Sequence, residues 1–368
     1  MAYGTVNADV IGTSVAGSNL GAGNASIMKN RIINGAMVID QRNAGAASTS
    51  AINGYFLDRW QVVQTTTGKL IAQQNQGSVT PPIGFVNYLG VTSQSAYSVS
   101  SSDLYLINQN IEGFNVSDLG WGTANAKTVT LSFQVYSSLT GTFGGSLRNS
   151  ASNRSYPFTY SISVANTWTS ISVTIAGDTS GTWLTTNGVG INLCFSLGSG
   201  STFSGTAGSW SANNYLSATG ATSVVGTSGA TFYITGVQLE VGSSATGFEY
   251  VNYQTSLANC QRYYSRLSSG SGLFTAFGSG SAASTTVAGI FVKYPTTMRT
   301  SPTLSQVATA LADGVNAVSA TTSISTSYIG FDSAQVTIAV ASGLTQYRPY
   351  LLTANNTLSA YIDFSAEL

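Results

Sequence analysis

Two carboxylates, Glu240 and Glu249, lie close together in "YITGVQLEVGSSATGFEYVNY", in a chain that holds only 13 acidic residues among 368. Paired carboxylates about 5 to 9.5 Å apart are enough for glycoside hydrolysis, one as acid and one as base or nucleophile. The other candidates are Asp58, Asp103, Glu112, Asp118 and Asp178, and between Asp118 and Glu240 only Asp178 is acidic. The aromatics suited to a sugar cleft, Trp168, Trp183 and Trp210, fall in that acid-poor stretch. Acids and sugar-stacking rings are thus separated along the chain, which argues against a hydrolase.

Other chemistries lack their reagents. There is no histidine, so neither a Ser-His-Asp nor a Cys-His nucleophile has its base. Two distant cysteines, Cys194 and Cys260, cannot assemble a common zinc site. The glycine pairs of "GFVNYLG" and "GTFGG" do not open a helix after a strand, as a phosphate loop requires. The chain is expected not to be an enzyme, and no cofactor is implied. A structural calcium is conceivable if the strands of Asp58 and Glu240 pair and carbonyls complete six to eight oxygens. Otherwise Asp58 pairs with Arg59 or Arg42, and Glu240 with a backbone donor or an arginine. The two cysteines read as buried free thiols.

Binding chemistry is better represented. Trp183 in "SGTWLTTNG" and Trp210 in "AGSWSANN" are loop indoles flanked by hydroxyls and amides. An apolar face ringed by polar groups suits a sugar. The candidate ligand contacts are Trp183 with Asn187, Trp210 with Asn213 and Asn214, and Tyr347 near the C-terminal end. Core packing or interface filling is the alternative for these rings. Trp60, inside "YFLDRWQVV", reads as core.

Composition narrows the class. Charged residues make up 7% and the net charge is zero, against about 25% charged in ordinary domains. A neutral chain offers no electrostatic footprint for nucleic acid. No apolar run approaches the 18 or so residues of a membrane helix, so no membrane insertion is expected. No positive residue precedes Lys29, which does not fit a secretory signal. With 40 Gly, 19 Tyr and 15 Phe, the chain reads as turn-rich and all-β, its surface made of hydroxyls and amides.

The elements that must position these side chains are short strands. "TVTLSFQVYSS" alternates Val129, Leu131, Phe133 and Val135 against Thr130, Ser132 and Gln134, the period of a half-buried strand. "FTYSISV", "TSISVTI" and "GVGINLCFSLG" repeat the pattern. In "TFYITGVQLEV" the apolar phase flips at Gly236, which predicts a bulge. Such strands between Gly, Asn and Ser clusters predict a jelly-roll-like antiparallel sandwich. "RIINGAMVIDQRNAG" reads as an extended strand entering it. "YQTSLANCQRYYSRL" places Leu257, Cys260, Tyr264 and Leu267 on one face of a short helix, followed by a Gly-Ser connector and a smaller C-terminal β domain. The expected boundaries are a flexible arm over 1–30, the jelly roll over 31–252, helix and linker over 253–270, and the C-terminal β domain over 271–368.

Five segments carry a family resemblance: "NRIINGAMVIDQRNAG", "YFLDRWQ", "IEGFNVSDLGWGTANAKTVTLSFQVYSSLTGTFGGSLRNSASNRSYPF", "NTWTSISVTIAGDTSGTW" and "ITGVQLEVGSSATGFEYVNYQTSLANCQRYY". They resemble a recurrent module of tailed-bacteriophage virion proteins of the tail-fibre, carbohydrate-binding-module-like type. "KYPTTMRTSPTL" and "YIDFSAEL" resemble the stretches that follow it. The resemblance spans about residues 29 to 310 and the last strand. It implies a jelly roll, then a C-terminal β domain, in a homotrimeric fibre or decoration protein on the virion surface, tail or capsid. Glu240 and Glu249 become structural seams. The arm over 1–30 would dock another virion protein, the segment Leu257 to Leu267 would lie near the trimer axis, and host surface polysaccharide would be the ligand. A head-fibre, decoration or adaptor role without a glycan is the alternative.

Overall fold

The computed structural model describes residues 28–314 and 318–368; residues 1–27 of the expected arm lie outside them. The chain divides into two compact units, Met1–Val251 and Asn252–Leu368.

In the first unit the strands are β1 (Gly54–Leu57), β2 (Trp60–Gln64), β3 (Leu70–Gln74), β4 (Leu89–Ser93), β5 (Leu104–Glu112), β6 (Val129–Ser137) and β7 (Gly141–Arg148). Then come β8 (Ser155–Ile162), β9 (Thr169–Ile175), β10 (Val189–Ser199), the two-residue β11 (Ser204–Gly205) and β12 (Ser217–Ala218), and β13 (Thr231–Val241). They form a six-stranded sheet, β1-β2-β5-β10-β7-β8, and a five-stranded sheet, β3-β4-β13-β6-β9, with β11 and β12 paired separately. Every pair within the two large sheets is antiparallel.

The alternation read from the sequence dictates how the sheets meet. Val129, Leu131, Phe133 and Val135 of β6 are buried, as are Ile191, Leu193, Phe195 and Leu197 of β10. Phe133 of the five-stranded sheet packs edge-on against Phe195 and Tyr160 of the six-stranded sheet, each with centroids 5.0 Å apart. Phe143 and Phe232 meet across the same gap at 6.1 Å. Trp60 is fully buried. The result is a jelly-roll-like sandwich in which each inward ring contributes roughly 1.5–3 kcal/mol.

The phase flip in β13 is a bulge. Register against β6 shifts between Thr235 and Gln238, and Gly236 takes a φ of 61°. The entering segment is not the strand expected of it. Residues 33–36 form a turn that clamps onto the bulge: Val237 N–H donates to Gly35 O, Arg31 N–H donates to Leu239 O, and Asn30 Oδ1 accepts from Leu239 N. A Cβ on Gly35 would come within 2.1 Å of Val237 O, so this approach requires glycine.

The second unit opens with α1 (Tyr253–Gln261). Its N-cap is Asn252, whose Oδ1 accepts from Thr255 N at 2.9 Å. Strands β14 (Tyr264–Ser268), β15 (Ala276–Ala282), β16 (Val287–Lys293), β17 (Thr303–Val307) and β18 (Thr309–Ala312) follow. The last are β19 (Val318–Ile329), β20 (Ser333–Val340), β21 (Pro349–Ala354) and β22 (Tyr361–Ser365). Six strands close into a barrel, β15-β16-β20-β19-β18-β21, and β14-β22-β17 form a small sheet.

The helix is shorter than its apolar spacing predicts. It ends at Gln261, and Tyr264 and Leu267 belong to β14, paired with β22 from Tyr264↔Ser365 to Ser268↔Tyr361. A cross-strand contact explains the switch. Arg266 donates to both oxygens of Asp363 at 2.6 and 2.7 Å, and its guanidinium lies 3.7 Å from the Tyr361 ring centroid. Charge-assisted, forked bonding of this kind outweighs a weak helical preference. The expected Gly-Ser connector also contains β15, because Phe277 and Ala282 supply buried positions to the barrel.

Candidate functional site

The two loop tryptophans expected to bind sugar are brought together, but with each other. Trp121, Trp183 and Trp210 form a three-ring cluster with centroid separations of 4.8, 5.3 and 5.4 Å and interplanar angles of 76–79°. Tyr156 joins at 5.2 Å from Trp210. Each indole N–H is occupied: Trp121 by Lys127 O, Trp183 by Asp178 Oδ2 and Ser180 O, Trp210 by Ala176 O. Trp183 is 9% exposed, so its face is spent on packing and is not open for stacking. Trp210 is half-buried.

Their amide companions lie on the same loops as Trp183 and Trp210. Asn187 is exposed on the same loop as Trp183. Asn213 is exposed, its backbone O accepting from Ser155 Oγ at 2.7 Å. Asn214 Oδ1 accepts from Arg148 Nη1 at 2.6 Å. Arg154 holds Asp178 with two bonds of 2.8 and 2.5 Å, and the carboxylate raises the Arg154 pKa. The loops after β7, β9 and β11 are thereby pinned together. Tyr347 belongs to the other unit, where it is 81% exposed.

The carboxylates are structural in their contacts. Glu240 accepts from Gln238 Nε2 (2.9 Å), Thr246 N (2.8 Å) and Thr246 Oγ1 (2.6 Å). Glu249 Oε2 accepts from Asn30 N at 2.6 Å. Asp58 accepts from Gln41 N and Nε2 at 2.7 and 2.5 Å. A calcium shared by Asp58 and Glu240 needed their strands to pair. Instead Asp58 follows β1 in the six-stranded sheet and Glu240 lies on β13 in the five-stranded one. Among the described residues no group of three or more His, Cys, Asp or Glu is placed to hold a metal ion.

A different aromatic surface occupies the outer face of the five-stranded sheet. Tyr233 on β13 pairs in register with Tyr136 on β6 and with Gly90 on β4. The rings of Tyr136 and Tyr233 stack at 5.2 Å and 8°, and Tyr88 stacks on Tyr233 from the other side at 5.1 Å and 29°. Trp168 closes against both Tyr88 and Tyr136 at 5.5 Å, its N–H held by Thr80 O at 2.8 Å. A Cβ on Gly90 would lie 3.0 Å from the Tyr233 ring, so glycine makes room for the stack. Tyr88 and Tyr233 are buried, and that burial raises both phenol pKa values. Tyr136 and Trp168 are half-buried at the outer edge.

Beside these rings run Gln134 and Ser132 of β6 and Ser170, Ser172 and Thr174 of β9, paired in register. Ser170 Oγ donates to Gln134 Oε1 at 2.9 Å. The row holds amide and hydroxyl groups and no charge. It offers stacking at one end and neutral hydrogen bonding at the other, the chemistry of a sugar contact. The alternation had assigned Ser132 and Gln134 to the solvent face, and Tyr136 continues that phase. The meeting of Tyr136 with Tyr233 depends on inter-strand register, which alternation within one strand does not contain.

No family model and no curated protein matches the chain. Solved structures similar to it include the enzymatically active domain of bacteriophage CBA120 tailspike protein 4, at 13% identity and a TM-score of 0.31, covering 58% of this chain and 22% of that one. A family 4 carbohydrate-binding module aligns at 14% identity and a TM-score of 0.28, covering 57% and 98%. The family 11 module of a Clostridium thermocellum cellulosomal cellulase aligns at 13% identity and a TM-score of 0.26, covering 56% and 100%. The chain therefore spans about a fifth of the tailspike's length. Its own sheets define it as an all-β protein, a jelly-roll sandwich followed by a small closed barrel.

Proposed function

We propose that this protein is a structural component of a phage particle, exposed on the virion surface, that contacts host surface glycans through the sandwich unit. It acts by binding and not by catalysis. The observation that carries the reading is the neutral shelf of Tyr136 and Trp168, braced by the buried Tyr233, beside Gln134, Ser132 and Ser170. The resemblance of the "GVQLE…CQRYY" segments to phage tail-fibre modules supports the virion setting. Residues 1–30 dock another virion protein, and three copies assemble so that weak sites add by avidity. Asn213, Asn214, Asn187 and Trp210 are secondary contacts, with Trp183 packed against Trp210 as a support. Tyr347 is a further contact on the second unit.

A decoration or adaptor role is the second reading. Tyr250 (63% exposed) packs against the edge-packed rings of Phe85 and Phe248, and Ile83 (103%) and Val86 (72%) flank Phe85 in the chain; exposed apolar clusters often mark protein contacts. Binding of the purified chain to host cells, compared between wild type and Trp168→Ala, separates the two. Saturable binding that the substitution weakens supports the glycan reading. No binding, where the particle itself adsorbs, favours the decoration role. Light scattering at low concentration tests assembly, and a stable monomer would contradict the trimer.

A further inference from the structure

The rings of Phe85, Phe248 and Tyr250 form a platform on the first unit, outside its hydrophobic core. Phe85 meets Phe248 edge-on at 5.1 Å and Tyr250 at 5.9 Å, and Phe248 meets Tyr250 at 5.1 Å. Two glycines seat the rings. A Cβ on Gly236, the bulge residue of β13, would come within 2.6 Å of the Phe85 ring, and one on Gly84 would collide with the Tyr250 hydroxyl. The loop that carries Phe85 is itself held. Phe85 N–H donates to Pro82 O at 3.0 Å, Trp168 Nε1 donates to Thr80 O at 2.8 Å, and Val79 N–H donates to the Tyr88 hydroxyl at 2.9 Å. Ile83 and Val86 on this loop nevertheless stand in water, as does Tyr250. A fixed loop that keeps its apolar residues exposed is pre-organised for a contact outside the chain.

Resting on the reading that copies of the chain assemble, we propose that this platform is the surface through which they meet, each copy packing its platform against those of its neighbours around the symmetry axis. Charge favours a second copy as the occupant. Residues near an axis meet their own counterparts, so a charge there would face its like. Residues 79–87 carry no charge, and 243–251 carry only Glu249, which accepts from Asn30 N at 2.6 Å. The neighbouring Lys29 is spent within its own chain: its Nζ donates to Gly247 O at 2.5 Å and lies 3.9 Å from Glu240. Area agrees. Ile83, Val86 and Tyr250 together expose roughly 400 Å². A standard interface buries ~800 Å² per partner, of which a little over half, roughly 450 Å², is apolar. The half-buried margins of Phe85 and Phe248 supply the difference. The described chain also begins beside the platform, where Lys29 and Asn30 bond Gly247 and Glu249. Contact here gathers residue 28 of every copy at one place, and with it the segment proposed to dock on the particle.

The test is light scattering of the full chain over a dilution series, for wild type, Ile83→Asp, Ile83→Ser and Phe291→Asp. Wild type is expected to exceed the monomer mass. Ile83→Asp is expected to raise the concentration at which the assembly dissociates by roughly a hundredfold. Its circular dichroism should match wild type, because Ile83 is fully exposed. Ile83→Ser adds no charge and is expected to weaken assembly less, and it carries the test if the aspartate disturbs folding. Phe291→Asp places the same charge on an exposed ring of the second unit and is expected to assemble as wild type does. Wild type that stays monomeric overturns the assembly reading and the proposal together. Wild type that assembles, with both Ile83 variants assembling equally well, overturns the proposal alone and leaves assembly standing. Capture of each variant by particles lacking the protein is measured in parallel. Capture lost in Ile83→Asp while its mass is retained also overturns the proposal, by giving the platform to another virion protein.

Discussion

Tyr136 and Tyr233 lie face to face across the β6–β13 pair, 5.2 Å apart and within 8° of parallel. Tyr233 is buried and stacked on both sides, by Tyr88 and Tyr136, so it sets the plane in which Tyr136 is held. Tyr233→Ala should therefore act twice: it removes a buried ring at a cost of roughly 3–5 kcal/mol, and it releases Tyr136. Denaturant unfolding measures the first effect. A cost below 1 kcal/mol would mean that the stack is not formed.

The tryptophan cluster predicts a contrast between neighbouring indoles. Trp183→Ala deletes a ring that touches Trp121 and Trp210 and holds Asp178, at a cost of roughly 3–5 kcal/mol. Trp168→Ala should cost less, because Trp168 is only half-buried. Equal losses in unfolding free energy would contradict this division between packing and exposed ring.

Asp178 is the charge on which the loops after β7 and β9 converge. Its side chain is 2% exposed and Arg154 holds it with two bonds. Asp178→Ala strands a partly buried guanidinium, and breaking a buried pair from one side costs roughly 3–5 kcal/mol. Thermal melts of Asp178→Ala and Arg154→Ala should both shift strongly. A change of a degree or less would show that the pair is dispensable.

The sandwich was legible in the sequence because its strands alternate cleanly: Phe133 and Leu131 of β6, Phe195 and Leu193 of β10, and the flip at Gly236 each fell on the face the period assigned. The short helix misled because Leu257, Cys260, Tyr264 and Leu267 fit a 3.6 period over a stretch that is half strand. Only the distant Asp363 reveals why Arg266 pairs out of a helix. The loop tryptophans misled for a related reason. A tryptophan among serines and asparagines reads as exposed, yet Trp121, Trp183 and Trp210 come from three loops that converge and bury one another. Register, which brings Tyr136 to Tyr233, is a relation between strands and has no signature within one.

Stability should be flat from pH 5 to 8, where a chain without histidine has little to titrate, and should fall in alkali. Burial pushes the Cys194 thiol from 9.0 up to about 12 and the Tyr294 phenol from 10.0 up to about 12, and raises Tyr160 as well. The unfolded chain releases these protons first, so their stabilisation is complete below about pH 9 and is lost as pH rises toward 12. Melting temperatures should decline from pH 9 upward, less steeply in Cys194→Ser. A melting temperature that rises above pH 9 would reverse the sign and contradict the burial.

The most direct measurement is isothermal titration of the purified chain with polysaccharide extracted from the host surface, for wild type, Tyr136→Ala, Trp168→Ala and Trp183→Ala, at low and high salt. The shelf predicts wild-type binding that is nearly independent of salt, since it contains no charge to screen. It predicts weakening by Tyr136→Ala and Trp168→Ala, and retention by whatever fraction of Trp183→Ala remains folded. Binding that collapses in salt, or that survives both shelf substitutions intact, would contradict the account.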